Sequence, residues 1–260
     1  MLGLFNNKRA KRNAEKDLKD RTTILKVGNF AVTEAYNQLR TNILFAVSAQ
    51  DSNIIEFSSS FSGEGKSITS ANTAITIAQA NAKVLLIDCD LRKPVQHKIF
   101  GLKNDKGVST LIGRMSKAED TIHKGVIENL DVLTSGPIPP NPSEMIVSKR
   151  MQELFEEFSQ KYDYIIVDTP PINVVTDALE LTKYTSGLVL VVRQGITTYE
   201  DIKKSLSSAN LIDANIIGVV LNDVRDLKQK YGRYNKYGYY KSYGYESKDE
   251  KKLTDVKRKK

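Results

Sequence analysis

Six short runs of β-branched and other apolar residues recur along the chain, and stretches with helical spacing separate most of them. Runs of this length without polar alternation are typical of strands that are buried on both faces of a parallel sheet. The runs are Ile54–Phe57, Val84–Ile87, Leu130–Leu133, Tyr164–Val167, Leu188–Val192 and Ile216–Leu221. Their alternation with helices predicts an α/β fold, with a doubly wound, mostly parallel sheet that is flanked by helices. A ligand site is expected at the carboxyl ends of its strands.

Five stretches are predicted to be helical from their spacing: Thr33–Ala49, Ser67–Ala80, Ser143–Phe158, Asp177–Tyr184 and Tyr199–Leu211. In the first, apolar residues recur at steps of three and four, which predicts an amphipathic helix. In the third, Ser143 follows a proline and is the expected N-cap. Its predicted buried side carries Ile146, Leu154, Phe155 and Phe158.

Charge separates the ends of the chain from its body. Residues 1–23 hold seven Lys/Arg against three Asp/Glu, and residues 227–260 hold twelve against four. Residues 24–226 hold twenty against twenty-four. We therefore predict a basic polar leader (1–30), one folded domain (31–226) and a basic tail (227–260). Basic ends are suited to an anionic membrane, a nucleic acid or an acidic partner, and they can equally be solvated tails without a ligand.

Cysteine and hydropathy patterns indicate the compartment. The single cysteine, Cys89, excludes an internal disulfide and fits a reducing environment. No apolar run approaches the ~18 residues that a membrane-spanning helix needs. The apolar start, Met1–Phe5, precedes its lysines and arginines, which is the reverse of a signal peptide. We expect a cytoplasmic protein that touches a membrane, if at all, from the inside.

A glycine-containing loop follows the first apolar run and opens the second predicted helix. It reads SSSFSGEGKS over residues 58–67, the strand–loop–helix context that a P-loop requires. Gly63 and Gly65 let backbone N–H groups turn inward around an anion at a helix N-terminus. Lys66 is expected to neutralise the β/γ-phosphates, and the Ser67 hydroxyl to bind Mg²⁺. The usual first glycine of the motif is replaced by Ser60.

Carboxylates follow two further apolar runs. Asp88 and Asp90 stand in the sequence LLIDCDLRKP, and we expect them to point to different sides, one to a metal and the other to a nucleophile. Asp168 ends the run YIIVD, the Walker B arrangement that holds Mg²⁺ directly or through water. Cys89 is expected to be a small buried residue between the two carboxylates. The three motifs in this order predict a site for ATP and Mg²⁺.

Weaker candidates lie in loops and in the tail. Asn222 and Arg225, after the last run, are predicted to contact the adenine edge. His97 and His123 have no partner at metal-ligand spacing and are expected to be packing or surface residues. The loop GPIPPNPS over residues 136–143 is predicted to border a substrate cleft or only to shape the next helix.

The tail concentrates tyrosine. Seven of the fifteen residues from 231 to 245 are tyrosines: Tyr231, Tyr234, Tyr237, Tyr239, Tyr240, Tyr243 and Tyr245. They lie among lysines and glycines without an apolar face, so the tail is predicted to be disordered. Exposed phenols behind an ATP site suggest that the phenols are the substrate. Seven phosphates would add roughly −10 to −14 of charge and invert the charge of the tail.

These motifs, the DCDLRKP and VDTPP sequences, the proline loop and the tyrosine tail closely resemble the bacterial tyrosine kinases over about residues 30–245. These are cytoplasmic autokinases of capsule and exopolysaccharide assembly, and their P-loop fold is of the partitioning-ATPase-like type. Partitioning ATPases share the phosphate motifs but lack such a tail, and they usually carry a lysine where this chain has Phe61.

The resemblance implies roles for individual residues. Lys66 and Ser67 take the phosphate and Mg²⁺ roles, Asp88 and Asp168 support the metal, and Asp90 acts as the base for the phenol. The nucleotide is expected to contact Ser62, Gly63, Glu64, Gly65, Lys66, Ser67, Ile68, Arg92, Asn222 and Arg225.

The resemblance also implies partners. The tail tyrosines are phosphorylated in trans within a ring of subunits, a transmembrane modulator of polysaccharide chain length activates the kinase, and a cognate tyrosine phosphatase reverses the reaction. The protein is then expected to be held at the inner face of the cell membrane by its partner. A specific nucleic acid is not expected among its ligands. Of the Glu-Arg-Arg pattern of the ring-forming helix, Glu34 and Arg40 match, but Asn37 replaces the middle arginine.

Two other functions remain open on the sequence alone. A partitioning-type ATPase switch would use the same motifs without phosphorylating protein. A nucleic-acid-binding module would use tyrosines interleaved with lysines to stack on bases and contact phosphates.

Overall fold

The structure, a computed structural model, describes residues 30–50 and 52–224. Its strands are β1 (Ile54–Ser59), β2 (Val84–Asp88), β3 (His123–Ile127), β4 (Leu130–Leu133), β5 (Tyr164–Asp168), β6 (Gly187–Arg193) and β7 (Ile216–Asn222). They form one seven-stranded sheet in the order β3-β4-β2-β5-β1-β6-β7. All neighbouring strands pair in parallel except β3 with β4, so the predicted mostly parallel sheet is confirmed.

Eight α-helices connect or flank the strands in the described residues: α1 (Phe30–Val47), α2 (Lys66–Gln79), α3 (Gln96–Phe100), α4 (Val108–Ile112), α5 (Pro142–Ile146), α6 (Lys149–Ser159), α7 (Asp177–Leu181) and α8 (Tyr199–Asn210). Two 3₁₀ turns add Ala118–Asp120 and Thr182–Tyr184. Within this part of the chain, none of the helices combines the length and the apolar character needed to cross a membrane.

The helices cover both faces of the sheet, as a doubly wound fold requires. On one face, Ile55 and Phe57 of β1 pack with apolar residues of α1, α2 and α3. On the other face, Ile54 of β1 packs in a second cluster that includes residues of α4, α5, α6 and α7. A third cluster joins β6 to α7 and α8. Because both faces are buried, the central strands contain continuous apolar runs instead of alternating ones.

The predicted helix over Ser143–Phe158 was wrong in one respect, since the structure divides it into α5 and α6. Ser143 is not an N-cap: α5 begins at Pro142, and the Ser143 hydroxyl donates to Asp177 at 2.8 Å. The cap of the longer helix is Ser148, whose hydroxyl accepts from the backbone N–H of Met151 at 3.2 Å. The predicted buried residues of this stretch are all buried.

The other differences concern short elements and the end of one helix. Strand β3, which contains His123, and helix α3, which contains His97, were not predicted, because neither carries a long periodic pattern. The predicted helix over Asp177–Tyr184 ends at Leu181 and continues as a 3₁₀ turn. The boundaries 1–30, 31–226 and 227–260 stay predictions, and the tail lies outside the described residues.

A buried carboxyl group in β1, an inner strand of the sheet, has no hydrogen-bond partner among the described residues. Glu56 of β1 is fully buried, and neither of its carboxyl oxygens makes a hydrogen bond to a described residue. The nearby Thr169 hydroxyl donates its proton to the carbonyl oxygen of Phe57 at 3.0 Å. Burial raises the pKa of Glu56 well above its ordinary value, against a smaller opposing effect of Thr169. Burial therefore favours the neutral form of Glu56 in the folded state.

This carboxyl group makes stability depend on pH. Above the unfolded-state pKa the folded state binds the extra proton, so the free energy of unfolding falls as pH rises, by up to about 1.4 kcal/mol per pH unit. Glu56→Gln keeps the shape of the side chain but removes the titratable proton. Between about pH 5.5 and about pH 7.5, the free energy of unfolding of the variant should therefore rise by about 1–3 kcal/mol relative to that of the wild type. Urea unfolding at both pH values measures this gain. The exposed Glu180→Gln is the control, and an equal free-energy difference at the two pH values would contradict the assignment.

Candidate functional site

The glycine loop lies between β1 and α2, at the carboxyl end of the sheet. Gly63 and Gly65 have φ angles of 88° and 98°, in the left-handed region that favours glycine. A Cβ atom on Gly65 would also lie 2.0 Å from the side-chain nitrogen of Asn222. Gly65 is the N-cap residue of α2 and supplies no side-chain cap. The first N–H groups of a fourteen-residue helix are therefore available to an anion.

Side chains from the loop itself, from β6 and β7 and from the segment after β6 hold this loop in place. The Glu64 carboxylate is buried and accepts from the backbone N–H of Phe61 at 2.9 Å and from the Thr197 hydroxyl. The Asn222 amide donates to the carbonyl oxygen of Glu64 at 2.9 Å. Arg193, at the end of β6, donates to the carbonyl oxygen of Gly63 at 3.2 Å. The sequence did not identify Thr197 or Arg193, because single polar residues after a strand carry no motif.

Lys66 lies at the centre of the site. Its ammonium group contacts one oxygen of Asp90 at 3.0 Å, one oxygen of Asp168 at 3.1 Å and the Ser67 hydroxyl at 3.2 Å. All four residues are buried. The chain folds this way because the loop after β1 and the ends of β2 and β5 meet at one edge of a parallel sheet. The three predicted motifs therefore converge on one cation.

Burial and charge shift the pKa values of these groups in opposite ways. Burial alone lowers the pKa of Lys66, but the carboxylates of Asp168 and Asp90 outweigh it and raise that pKa above its ordinary value. Burial raises the pKa of Asp168, although the ammonium of Lys66 opposes the rise. Burial and the Asp168 carboxylate together raise the pKa of Asp88 to about 8. An excess of buried negative charge therefore makes a cation necessary here.

Asp88 is held by backbone donors. Its two oxygens accept from the N–H groups of Asp90 at 3.2 Å, Val95 at 3.1 Å and Gln96 at 3.0 Å. The expectation that Asp88 and Asp90 point to different sides was wrong. Asp90 lies in the turn after the end of β2, and both carboxylates act on the ammonium of Lys66. Asp88 also fixes the turn that carries Asp90, while Cys89 between them is buried as expected.

Asp90 has its two oxygens in different environments. One accepts from the backbone N–H groups of Arg92 at 3.3 Å and Lys93 at 2.9 Å, and the other contacts Lys66. Asp90 is only 3% exposed, so its carboxylate is rigidly placed beside the phosphate loop. This placement is compatible with a base that receives a proton from a docked hydroxyl, a role that stays a prediction.

Arg92 joins three loops at this edge of the sheet. Its guanidinium donates to both oxygens of Asp177, at 2.8 and 3.2 Å, and to the Ser143 hydroxyl at 2.7 Å. Asp177 is buried, and the Ser143 hydroxyl donates to it as well. The segment after Asp90 is thereby tied to the start of α7 and to the proline loop. The proposed contact of Arg92 with the nucleotide stays a prediction.

Removal of the Asp177 carboxylate should weaken this connection between Arg92, Ser143 and α7. Asp177→Ala leaves the guanidinium of Arg92 and the hydroxyl of Ser143 without their acceptor, which should lower the free energy of unfolding by about 1–3 kcal/mol. Glu180→Ala, on the same helix, removes only an exposed pair with Lys183 at 3.8 Å and should change it by less than about 0.5 kcal/mol. Urea unfolding compares the two variants, and equal losses would contradict the role of Asp177.

The other predicted residues are dispersed. Ser62 is exposed in the phosphate loop, and Ile68, in the first turn of α2, is half-buried against the core. On α1, the exposed Glu34 accepts from the Asn37 amide at 3.4 Å, and Arg40 donates to the carbonyl oxygen of Thr76 at 2.9 Å. Arg225 and the tail tyrosines lie outside the described residues.

The site provides the ligand types that Mg²⁺ prefers. A hydroxyl and buried carboxylates face a common point that the ammonium of Lys66 now neutralises. In the described part of the chain, no group of three or more His, Cys, Asp or Glu residues forms a metal cage by itself. Mg²⁺ commonly binds through one or two carboxylates together with phosphate oxygens. The residues present therefore fit a metal that arrives with a nucleotide.

Comparisons with known proteins agree with this geometry. The AAA domain family matches residues 52–213. Tyrosine-protein kinase YwqD of Bacillus subtilis is 41% identical over 203 residues, which are 78% of this chain and 86% of YwqD. The crystal structure of the chimerical protein CapA2B2 has a TM-score of 0.75 and 37% identity, and covers 82% of this chain and 100% of its own. The kinase domain of Escherichia coli tyrosine kinase ETK has a TM-score of 0.72 and 35% identity, with 80% of each chain covered.

The fold extends to more distant proteins. The septum site-determining protein MinD from Pyrococcus horikoshii, solved with Mg-ADP, has a TM-score of 0.55 and 24% identity, and covers 65% of this chain and 69% of its own. The sheet order and the phosphate loop thus define a P-loop α/β fold, which this chain shares with MinD. Within that class, the identity to YwqD shows that this chain belongs to the bacterial tyrosine-protein kinases. It is a protein-tyrosine kinase.

Proposed function

We propose that this kinase is an ATP- and Mg²⁺-dependent autokinase that phosphorylates the tyrosines of its own tail on a neighbouring copy. The observation that carries the proposal is the ammonium of Lys66 between Asp90 and Asp168, beside the uncapped N-terminus of α2. A buried cation and free backbone donors suit a phosphate chain, while a carboxylate next to them suits a hydroxyl nucleophile.

The loop residues bind the phosphates in this proposal. The backbone N–H groups from Ser62 to Ser67 surround the β-phosphate, and Lys66 moves from its carboxylates to the β/γ oxygens. Glu64 keeps the loop rigid through its buried side chain. Ile68, Arg92, Asn222 and Arg225 are assigned to the periphery of the nucleotide. Rigid donors stabilise the charge that develops on the transferred group without reorganising.

Charge balance is the reason to propose Mg²⁺. When Lys66 binds a phosphate, Asp168, Asp88 and Asp90 lose the cation that neutralises them. A second cation must then enter, since unpaired buried carboxylates are costly. Ser67 and Asp168 would hold Mg²⁺, with Asp88 supporting it from the second layer through its fixed position. Bound there, Mg²⁺ supplies neutralisation of the phosphate oxygens during transfer.

The acceptor chemistry falls to Asp90. A phenol has an ordinary pKa near 10, so it gains from a base only when it is docked beside one. Asp90 would orient the hydroxyl of a tail tyrosine and receive its proton as the phenolic oxygen bonds to the γ-phosphorus. The bond between the γ-phosphorus and the bridging oxygen breaks in the same step, and ADP leaves. The acceptors are the seven tyrosines from Tyr231 to Tyr245.

Assembly and regulation extend the proposal. Glu34 and Arg40 on α1 are assigned to a ring of subunits in which one tail reaches the next site. A transmembrane modulator of polysaccharide chain length activates the kinase at the inner face of the membrane, a tyrosine phosphatase resets it, and capsule or exopolysaccharide synthesis is the regulated process. The kinase names of YwqD and ETK and the CapA2B2 chimera support the family part of this proposal.

One experiment tests the proposed function. The full chain is incubated with γ-labelled ATP and Mg²⁺, with and without an activator peptide, and the phosphorylated residues are mapped. We expect label on residues 231–245 that depends on Mg²⁺. Hydrolysis of ATP without label on the protein would favour a partitioning-type ATPase switch instead.

A further inference from the structure

Gln96 is a fully buried residue at the start of α3 that connects the three motifs. Its side-chain nitrogen lies 2.9 Å from one oxygen of Asp168, 2.9 Å from the carbonyl oxygen of Ser67 and 3.1 Å from the Ser70 hydroxyl. Its backbone N–H donates to Asp88 at 3.0 Å. One residue thus touches the end of β2, the end of β5 and the first turn of α2.

The two oxygens of Asp168 have different partners. One contacts the ammonium of Lys66 at 3.1 Å, and the other accepts from the Gln96 amide at 2.9 Å. Departure of Lys66 to a phosphate frees only the first oxygen. The second stays fixed by Gln96, so the carboxylate cannot rotate, and the freed oxygen keeps its direction.

Simple packing does not explain this glutamine. Its amide oxygen is buried and has no hydrogen-bond partner among the described residues, which costs free energy that an apolar side chain would avoid. The hydrogen bonds that the amide nitrogen donates to Asp168 and Ser67 offset this cost. Groups that orient the ligands of a metal typically change its affinity by about 10–100-fold when they are removed.

We infer that Gln96 is a positioning residue that fixes the carboxylate of Asp168 for Mg²⁺-dependent nucleotide binding. This inference rests on the proposed function, because it assigns the orientation of the metal ligand proposed there. In this assignment Gln96 acts through Asp168 and not on the nucleotide itself.

The test measures the affinity of the full chain for a fluorescent ATP analogue, once in Mg²⁺ and once in EDTA. The ratio of the two affinities reports the metal alone. In Gln96→Leu this ratio should fall by about 10–100-fold, while the affinity in EDTA stays within about twofold. Gln96→Glu replaces the donor by an acceptor facing Asp168 and should lower the ratio at least as much.

Ser70→Ala is the matched control. It removes one contact of the Gln96 amide and leaves the contact with Asp168, so its affinity ratio should equal that of the wild type. If Gln96→Leu loses equal affinity in Mg²⁺ and in EDTA, Gln96 supports the phosphate loop and the inference is overturned. Wild-type affinities under both conditions would also overturn it. If the wild type itself binds no better in Mg²⁺ than in EDTA, the proposed function fails first, and the role of Gln96 fails with it.

Discussion

Replacing Lys66 with methionine is expected to lower the rate of tyrosine phosphorylation by at least about 10²–10³-fold, the usual effect of removing one fixed donor to the transferred group. Methionine has nearly the same length but carries no charge, so the phosphate chain loses its buried cation. Transfer of label from γ-labelled ATP to the protein measures the loss. Phosphorylation at more than about a tenth of the wild-type rate would contradict the assignment of Lys66 to the phosphates.

The same substitution should also reduce stability, because the ammonium of Lys66 neutralises two buried carboxylates. Breaking a buried ion pair on one side costs about 3–5 kcal/mol. The cost depends on pH. Without the ammonium, nothing offsets the burial that raises the folded-state pKa of Asp168, so above the unfolded-state pKa of about 3.9 the folded state binds more protons. The deficit of the variant in free energy of unfolding should therefore grow as pH rises from about 5.5 to about 8.

Lys66→Arg separates the two effects. Its guanidinium keeps the positive charge, so the free energy of unfolding should stay closer to that of the wild type. Its planar fork does not reproduce the compact ammonium at the phosphates, so phosphorylation should still fall. Urea unfolding and label transfer on the same preparations distinguish lost folding from lost chemistry. A Lys66→Met protein as stable as the wild type at about pH 8 would argue against the charge balance described here.

Patterns that repeat along the chain predicted the sheet correctly. Short elements without a repeating pattern were not predicted. The continuous apolar runs of β2 and β5 follow from burial on both faces of the sheet, and the sequence shows them directly. Helix α3 has five residues and β3 is exposed on its middle positions, so neither has a periodic pattern to read. The break between α5 and α6 lies at Val147 and Ser148, and a single serine that caps the second helix does not interrupt the apolar spacing of the sequence.

In the site too, residues within motifs were predicted and residues outside them were not. Lys66, Asp90 and Asp168 were brought together as the motifs predict, because each motif ends a parallel strand or begins the adjoining helix. Gln96 and Asp177 were missed, since an amide or a carboxylate in a turn has no signature until its partner is known. Their contacts span 72 and 85 residues of sequence, a range at which spacing carries no information.

Changing all seven tail tyrosines to phenylalanine is expected to reduce label on the protein to background. Phenylalanine keeps the ring and removes the hydroxyl that accepts the phosphoryl group. Five tyrosines remain in the body of the chain, and Tyr199 is 74% exposed, so Tyr199→Phe is the matched control and should leave labelling unchanged. Hydrolysis of ATP should persist in the seven-fold variant, because none of the residues around Lys66 is altered. Full labelling of that variant would place the acceptors elsewhere.

Mixing two variants tests transfer between copies. The seven-fold phenylalanine variant keeps its site and lacks acceptors, whereas Lys66→Met keeps its acceptors and lacks the cation. If one copy phosphorylates another, each alone stays unlabelled, and the mixture labels the Lys66→Met chain, which a size tag identifies. The rate should rise with protein concentration, because the transfer is bimolecular unless a stable ring forms first. Asp90→Asn introduced into the seven-fold variant should suppress the label by about 10²–10⁴-fold, since the docked phenol then has no base.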